Sequence, residues 1–276
     1  MKKFLAASVL SFVLAFASSA LAAPIVMDGS TTVLPFGQAA AEQFMKSNPK
    51  VKFSVSGTGT GNGFKSLADG SAQIANASRF IKDKEIETCI AKKVYPVPFA
   101  VALDCIIPVV HPSNSVKSLT KAQLKDIFSG RITNWSEVGG KSAPIVVVGR
   151  DTSSGTYGTW QEMIMDKGEK ARVTPKAQIT ASSGAMMTAI AQNKNAIGYE
   201  GMGYVTKSVK GLQVDGIAGS AASARSGKYP LSRHLFMFTN GWPEGELLDF
   251  INFMQSGAGQ KIVNKTGFVS LQEIGK

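Results

Sequence analysis

The sequence predicts an α/β fold with mostly parallel sheets. Short β-rich segments alternate with amphipathic helical ones from residue 25 onward, the pattern of strands joined by crossover helices. An apolar fraction of 44% supplies a full core. No repeat with a period of about 20 to 50 residues divides the chain into a solenoid or propeller.

The elements follow in order. Ile25-Val26-Met27 reads as a strand, and Thr32 to Met45 as a helix with Phe36, Ala40 and Phe44 on one face. Val51 to Ser56 alternates like a strand. The glycine-rich run SVSGTGTGNGFKS, Ser54 to Ser66, then opens a helix carrying Phe64 and Leu67. Ile74 to Ala77 is a short buried strand, and Val97 to Val110 a long apolar extended run that includes Pro98 and Pro108. Thr120 to Phe128 is a helix with Thr120 and Gln123 placed as a capping box. Pro144 to Gly149 is a strand, followed from Ser154 by a helix with Tyr157, Trp160 and Ile164. Met186 to Gln192 is helical, Ala196 to Tyr199 a strand and Leu235 to Phe238 another. Glu244 to Ser256 closes the series as a helix with Leu247, Ile251 and Met254 stacked along one face. Gly216 to Gly227, rich in Gly, Ala and Ser, reads as a surface loop. Phe36, Phe64, Trp160 and the pair Met186-Met187 read as core, whereas Trp135 and Trp242 lie in turn regions and are expected at lobe surfaces. No linker marks a clean cut, so a second lobe would be an insertion reached by two crossings.

The N-terminus bears on compartment. Lys2 and Lys3 precede an apolar run from Phe4 to Phe16, and Ala20-Leu21-Ala22 forms a small-x-small cleavage site. This is the pattern of a secretory signal peptide over residues 1–22, to be set aside in reading the fold. No cysteine follows the cleavage site, which argues against a lipid anchor, and a periplasmic protein is expected. Net charge is +11, and +9 without Lys2 and Lys3. The lysines are scattered and no aromatic residues interleave with a basic cluster, so nucleic acid is not an expected partner. A diffuse positive field suits a small anion or an acidic partner. Cys89 and Cys105 are the only cysteines; in an oxidising compartment they form either one disulfide or two buried thiols. His111 and His234 are isolated, and no Cys/His cluster has metal-ligand spacing, so neither metal nor cofactor is expected.

Three places put small hydroxyl residues at the start of a helix: Gly29-Ser30-Thr31-Thr32, Gly57 to Gly63, and Ser153-Ser154-Gly155-Thr156. A helix N-terminus offers unpaired N–H groups and about half a positive charge. Glycine permits close approach, and Ser/Thr hydroxyls donate further bonds. An N-cap alone explains any one of these loops; three converging would wrap an oxyanion in donors. Ser182-Ser183-Gly184 is a fourth such start. The glycine run matches neither nucleotide motif. A dinucleotide fingerprint counted from Gly57 or Gly59 ends on Asn62 or Phe64, and Phe64 separates Gly63 from Lys65 where a P-loop needs Gly-Lys. A bare anion fits better. Arg150, at the end of its strand, can grip a tetrahedral oxyanion with two N–H groups. Arg79 is a second candidate, with a salt bridge as its alternative role.

The segments DGSTTVLPFGQAAAEQF, SGTGTGNGFKSLADGSAQIANASRFIKDKE, GRDTSSGT, AIGYEGMGYV and YPLSRHLFMFTNG occur in order between Asp28 and Gly241, within a match read as running from Met27 to about Leu271. As a set they resemble the PstS-like periplasmic phosphate-binding proteins of high-affinity phosphate ABC transporters. The resemblance implies a two-lobed, type II-like periplasmic binding protein fold with two crossing segments and the ligand in the interlobe cleft. It places residues 24–104 and 215–276 in lobe I and 105–214 in lobe II. It implies a monomer that takes inorganic phosphate to an ABC permease at the inner membrane. Carried over by position, the ligand set is Thr31, Thr32, Thr60, Arg79, Arg150, Ser154, Gly155 and Thr156. In some members an aspartate shortly after the second loop accepts the proton of hydrogen phosphate. Here that stretch reads Ala77-Ser78-Arg79. Without an obligatory carboxylate, sulfate loses the repulsive contact that would reject it. A binding protein for another tetrahedral oxyanion, such as sulfate, molybdate, tungstate or arsenate, is therefore the alternative. Asp151 either orients Arg150 or faces solvent. Catalysis is not expected: no G-x-S-x-G elbow is present, and neither histidine has an obvious nucleophile beside it.

Overall fold

The computed structural model describes residues 23–273; the expected signal peptide lies outside them. The strands are β1 (Ile25–Gly29), β2 (Phe53–Val55), β3 (Ile74–Ala77), β4 (Pro96–Val110), β5 (Ser118–Leu119), β6 (Val146–Arg150), β7 (Gln178–Thr180), β8 (Ala196–Gly201), β9 (Lys210–Gly211), β10 (Gln213–Val214) and β11 (Ser232–Asn240). The helices are α1 (Leu34–Ser47), α2 (Thr60–Ala68), α3 (Asp83–Ala91), α4 (Lys121–Ser129), α5 (Gly155–Trp160), α6 (Ser183–Gln192), α7 (Ala221–Arg225), α8 (Gly245–Gln255) and α9 (Gly257–Lys265).

One curled sheet runs in the order β2-β1-β3-β11-β4-β8-β6-β7, with β9 added on β4. The long apolar run forms a single strand, β4, that serves both halves. Its Pro96–Cys105 part pairs antiparallel with β11, and its Ile106–Val110 part pairs antiparallel with β8. Pro108 has no N–H to give, yet its carbonyl still accepts from Leu212 N at 2.8 Å. The flanking pairs β1–β2, β1–β3, β6–β7 and β6–β8 are parallel. The sheet is thus mixed where mostly parallel pairing was expected, because the two strands that cross between halves run against their neighbours.

Side chains alternate across the strands and fill separate cores. In the first lobe, Ile74 joins Met27, Phe36, Val101 and Phe250 on one face. Ala75 and Ala77 join Phe64, Leu67 and Phe238 on the other. In the second lobe, Ile106, Val109, Leu124, Phe128, Trp160, Met186 and Tyr199 pack together. Trp135 belongs to this core, 2% exposed and donating from Nε1 to Asn195 O at 3.0 Å; only Trp242 stands at a surface, edge-on to Phe99. The capping box on α4 forms as expected, with Gln123 N on Thr120 Oγ1 at 3.1 Å. Helix α6 begins one turn earlier than the apolar pattern suggested, because Ser182 caps it from Oγ to Ala185 N at 3.2 Å.

The return crossing differs from the expected boundary at 215. The stretch read as a loop contains α7, and Ala224, Tyr229 and Leu231 pack into the second core. Tyr229 also donates to Ile106 O at 2.9 Å. Ala224, Tyr229 and Leu231 thus belong to the second core, and Leu235 and Met237 of β11 to the first.

Cys89 and Cys105 are both free and buried, in different cores. Burial, with the nearby Asp104 charge, pushes the Cys105 thiol up to about 12 from 9.0, and burial raises Cys89 as well. Both thiols should be silent to a chromogenic disulfide reagent in the native protein and should both react once it is denatured. A thiol held neutral by the fold favours the native state in full below the pKa of the unfolded thiol, and that contribution is lost as pH rises through the folded value. Burial likewise lifts Tyr204 from 10.0 to about 12. The melting temperature should fall as pH rises above 9.0, and Cys105→Ala should make that fall shallower; a flat profile in the parent protein would contradict it.

Candidate functional site

Four helix starts meet where the two lobes face each other. The first lobe supplies the turn before α1 and the start of α2; the second supplies the starts of α5 and α6. Each start leaves N–H groups without an intrahelical acceptor.

The glycine-rich loop is shaped by a carboxylate. Asp28 Oδ1 accepts from Gly29 N at 2.8 Å, Ser56 Oγ at 2.7 Å and Thr58 Oγ1 at 2.8 Å, and Oδ2 accepts from Ser66 Oγ at 2.8 Å. Two loops are thus tied to one anchor. Gly59 then turns the chain at φ +105°, a conformation that disfavours side-chain-bearing residues, and delivers Thr60 to the start of α2. Asp28→Ala should lower stability by roughly 2–4 kcal/mol, since charge-assisted bonds contribute about 1.5–3 kcal/mol each and do not add. Urea denaturation checks this, and a loss under about 1 kcal/mol would mean that the loop holds itself.

Arg150 closes strand β6 and is 2% exposed. Its Nη1 pairs with Glu200, itself fully buried at the end of β8, and donates to Ser183 Oγ at 3.3 Å. Its Nη2 donates to Thr31 Oγ1 at 3.1 Å. Thr31 Oγ1 and Ser183 Oγ are 2.9 Å apart, so one guanidinium and two hydroxyls from opposite lobes share one spot. Tyr204 OH fixes Thr31 O from behind at 2.7 Å.

A second hydroxyl pair lies alongside. Thr32 Oγ1 meets Thr156 Oγ1 at 3.1 Å, again across the lobes. Thr60 Oγ1 accepts from Ser78 N at 3.1 Å and lies 3.4 Å from Ser78 Oγ. Gly155 faces this pair so closely that a Cβ there would come within 3.0 Å of both hydroxyl oxygens. Backbone also joins the lobes, Gly61 N donating to Ser153 O at 2.9 Å. Ser154 Oγ caps its own helix at Tyr157 N, 3.2 Å.

The structure thus brings together Thr31, Thr32, Thr60, Arg150, Ser154, Gly155 and Thr156. Arg79 is the exception. Its guanidinium makes a two-pronged pair with Glu85 at 2.7 and 2.8 Å, donates to Phe80 O and lies 5.7 Å from the Phe64 ring centre. Its Nη groups are taken by Glu85, at the third position of α3, and by Phe80 O, while its stem lies against Gly158 of α5. Asp151 does not orient Arg150 either: its Oδ1 takes Ser153 N at 2.8 Å, and the carboxylate on Arg150 is Glu200.

Several residues escape local sequence reading. Ser78 is a buried hydroxyl of the cluster, as is Ser183, whose helix start the sequence did indicate. Asp104, fully buried, takes Arg233 Nε at 3.0 Å, Arg233 Nη2 at 2.8 Å and Met202 N at 3.0 Å. Lone acids inside apolar strand runs, at Asp104 and Glu200, were the available signal, since such groups are almost never buried unpaired. His111 Nδ1 contacts Ser113 Oγ at 2.8 Å and His234 is exposed; neither is in the cluster.

A meeting of two α/β lobes at which hydroxyls, helix starts and the buried arginines Arg150 and Arg233 converge defines the class as an anion-holding binding protein. A PBP superfamily domain model matches residues 15–258. The chain is 34% identical to the phosphate-binding protein PstS of Bacillus subtilis, over 91% of this chain and 81% of that protein. It is 33% identical to protein SphX of Synechococcus elongatus, over 92% and 79%. Among solved structures, a candidate phosphate ABC transporter substrate-binding protein from Clostridium perfringens, with bound phosphate, superposes with a TM-score of 0.83 at 35% identity, over 91% of this chain and 100% of that one. An ABC-type phosphate transport receptor from Vibrio cholerae gives 0.72 at 31% identity, over 89% and 99%. The chain belongs to the PBP superfamily and, within it, to the PstS-like phosphate-binding proteins.

Proposed function

We propose that this protein is the periplasmic substrate-binding component of an ABC transporter, closing its two lobes on inorganic phosphate and delivering it to the membrane permease. The observation that carries this is Arg150, buried and shared between Thr31 of one lobe and Ser183 of the other. A guanidinium so placed binds an oxyanion only when both lobes contribute, so the anion stabilises the closed state through its differential affinity. The lobes hinge on the two crossings, at Cys105 and Ser232. The N-terminal pattern supports export, and the relatives' names support the ligand.

The alternative of another tetrahedral oxyanion turns on the proton. The stretch Ala77-Ser78-Arg79 carries no aspartate where some family members have one, and the buried carboxylates Asp104 and Glu200 are each engaged by an arginine and a backbone N–H. Hydroxyls can accept as well as donate, so Ser78 and Thr60 can take the proton of hydrogen phosphate without rejecting an anion that lacks one. Phosphate is the preferred ligand, with selectivity over sulfate weaker than a carboxylate would give. Titration calorimetry on protein unfolded, dialysed and refolded free of ligand, with phosphate, sulfate and molybdate, tests this. Phosphate binding with sulfate measurable but weaker is the expected result. No binding of phosphate would end the reading, and sulfate or molybdate binding as tightly would favour the alternative.

A further inference from the structure

We propose that Arg233 is a positioning residue that couples the hinge to the anion cleft and sets how long the closed state lasts. The inference rests on the reading of the cleft as a phosphate site and adds a residue outside the expected ligand set. Arg233 is the second residue of β11, on the return crossing, and it is 7% exposed. Asp104, its two-pronged partner, sits on β4 beside Cys105, on the outgoing crossing. One ion pair therefore clips the two crossings to each other.

The remaining N–H groups of Arg233 reach into the cleft. Nη1 donates to Ser78 O at 2.9 Å, in the first lobe. Nη2, already on Asp104, also donates to Thr156 Oγ1 at 3.1 Å, in the second lobe. Thr156 Oγ1 in turn meets Thr32 Oγ1. The other oxygen of Asp104 holds Met202 N, just after β8 of the second lobe. Arg233 thus touches both anion-facing loops and the hinge at once. The contact to Thr156 exists only while the second lobe is seated on the first, whereas those to Asp104 and Ser78 lie within the first lobe and the crossings. A group bonded across the lobes only in the closed state slows opening and leaves the encounter with the anion unchanged. Lysine cannot substitute, because a point-like ammonium cannot span Asp104, Ser78 and Thr156 as a planar fork does.

The test compares wild type with Arg233→Lys, Thr156→Val and the double variant, by stopped-flow binding of inorganic phosphate and by the distance between spin labels, one on each lobe. Arg233→Lys should weaken phosphate binding about tenfold or more, the size of one charge-assisted hydrogen bond. The loss should lie in the dissociation rate, with the association rate near wild type; the ligand-free urea midpoint should also fall, because the buried contacts to Asp104 and Ser78 are weakened. Added to Thr156→Val, it should cost far less than it does alone, since the shared contact is already gone. Unchanged dissociation, a loss carried by association, or full additivity would each overturn the proposal. Should Arg233→Lys not fold, the neutral pair Asp104→Asn/Arg233→Gln leaves no lone buried charge and is read in the same way. If wild type does not bind phosphate, the functional reading falls, and the label distances still decide: a more open Arg233→Lys supports the coupling, and an unchanged distance refutes it.

Discussion

Arg150→Met is expected to remove phosphate binding and destabilise the fold together, and adding Glu200→Gln is expected to separate the two losses. Arg150 gives the cluster its only guanidinium shared between Thr31 and Ser183. Two charge-assisted bonds to an oxyanion contribute roughly 3–6 kcal/mol, so affinity should fall by about 100-fold to 10,000-fold. The stability loss has another origin. Glu200 is fully buried, and without Arg150 its charge keeps only the Gly201 N–H at 3.2 Å. Breaking a buried pair from one side costs about 3–5 kcal/mol, because the remaining charge is uncompensated. Glu200→Gln in the Arg150→Met background removes that charge and should recover most of the stability, but it restores no donor and should recover none of the binding. Urea melts and calorimetry on the three proteins check both halves. Binding within about tenfold of wild type in Arg150→Met would place the anion elsewhere. A double variant as unstable as the single would mean that Arg150 supports the fold by packing and not by neutralising Glu200.

Local sequence reports some of these residues and is silent on others. The hydroxyl and glycine positions were legible because a helix start is a local event: Thr31, Thr60 and Thr156 each announce one within a few residues. The β-segments and most helix faces were legible for the same reason, through periodicity. The pairing of Arg79 with Glu85 was not legible because that carboxylate acts through the capping geometry of a helix whose start was not assigned. The pairs that matter most, Arg150 with Glu200 and Asp104 with Arg233, are 50 and 129 residues apart in sequence. No local pattern joins them; only the pairing of β6 with β8 and of β11 with β4 does. The return crossing was drawn too early because Gly216 to Gly227 has loop composition, while Ala224, Tyr229 and Leu231 commit the segment to the second core. Composition indicated where the chain could bend, and burial decided which lobe it joined.

Gly155→Ala should prop the cleft open while leaving the ligand-free protein as stable as before. The residue starts α5 in ordinary helical surroundings without positive φ, so alanine strains no backbone there. Its added carbon would lie within 3.0 Å of Ser78 Oγ and Thr60 Oγ1 and 3.1 Å from Thr60 Cβ, all across the cleft. Overpacking of this kind costs about 1–3 kcal/mol, and here only the closed state bears it. Apparent affinity falls by the fraction of closing-competent molecules lost, so phosphate binding should weaken roughly 5-fold to 150-fold. Valine at the same position should weaken it further. The ligand-free urea midpoint should stay near wild type, because an open cleft has room for the methyl group. Gly184→Ala is the control: it sits one residue into α6 beside the same cluster, yet nothing lies within 4 Å of its added carbon, and it should bind phosphate normally. Scattering with saturating phosphate should show Gly155→Ala larger than wild type and Gly184→Ala the same size. Equal compaction of all three would mean that the lobes meet less tightly than the contacts at Ser78 and Thr60 require. A loss of stability in the ligand-free Gly155→Ala protein would mean that the cleft is closed without ligand, and the anion would then be entering a preformed site with no closure to drive.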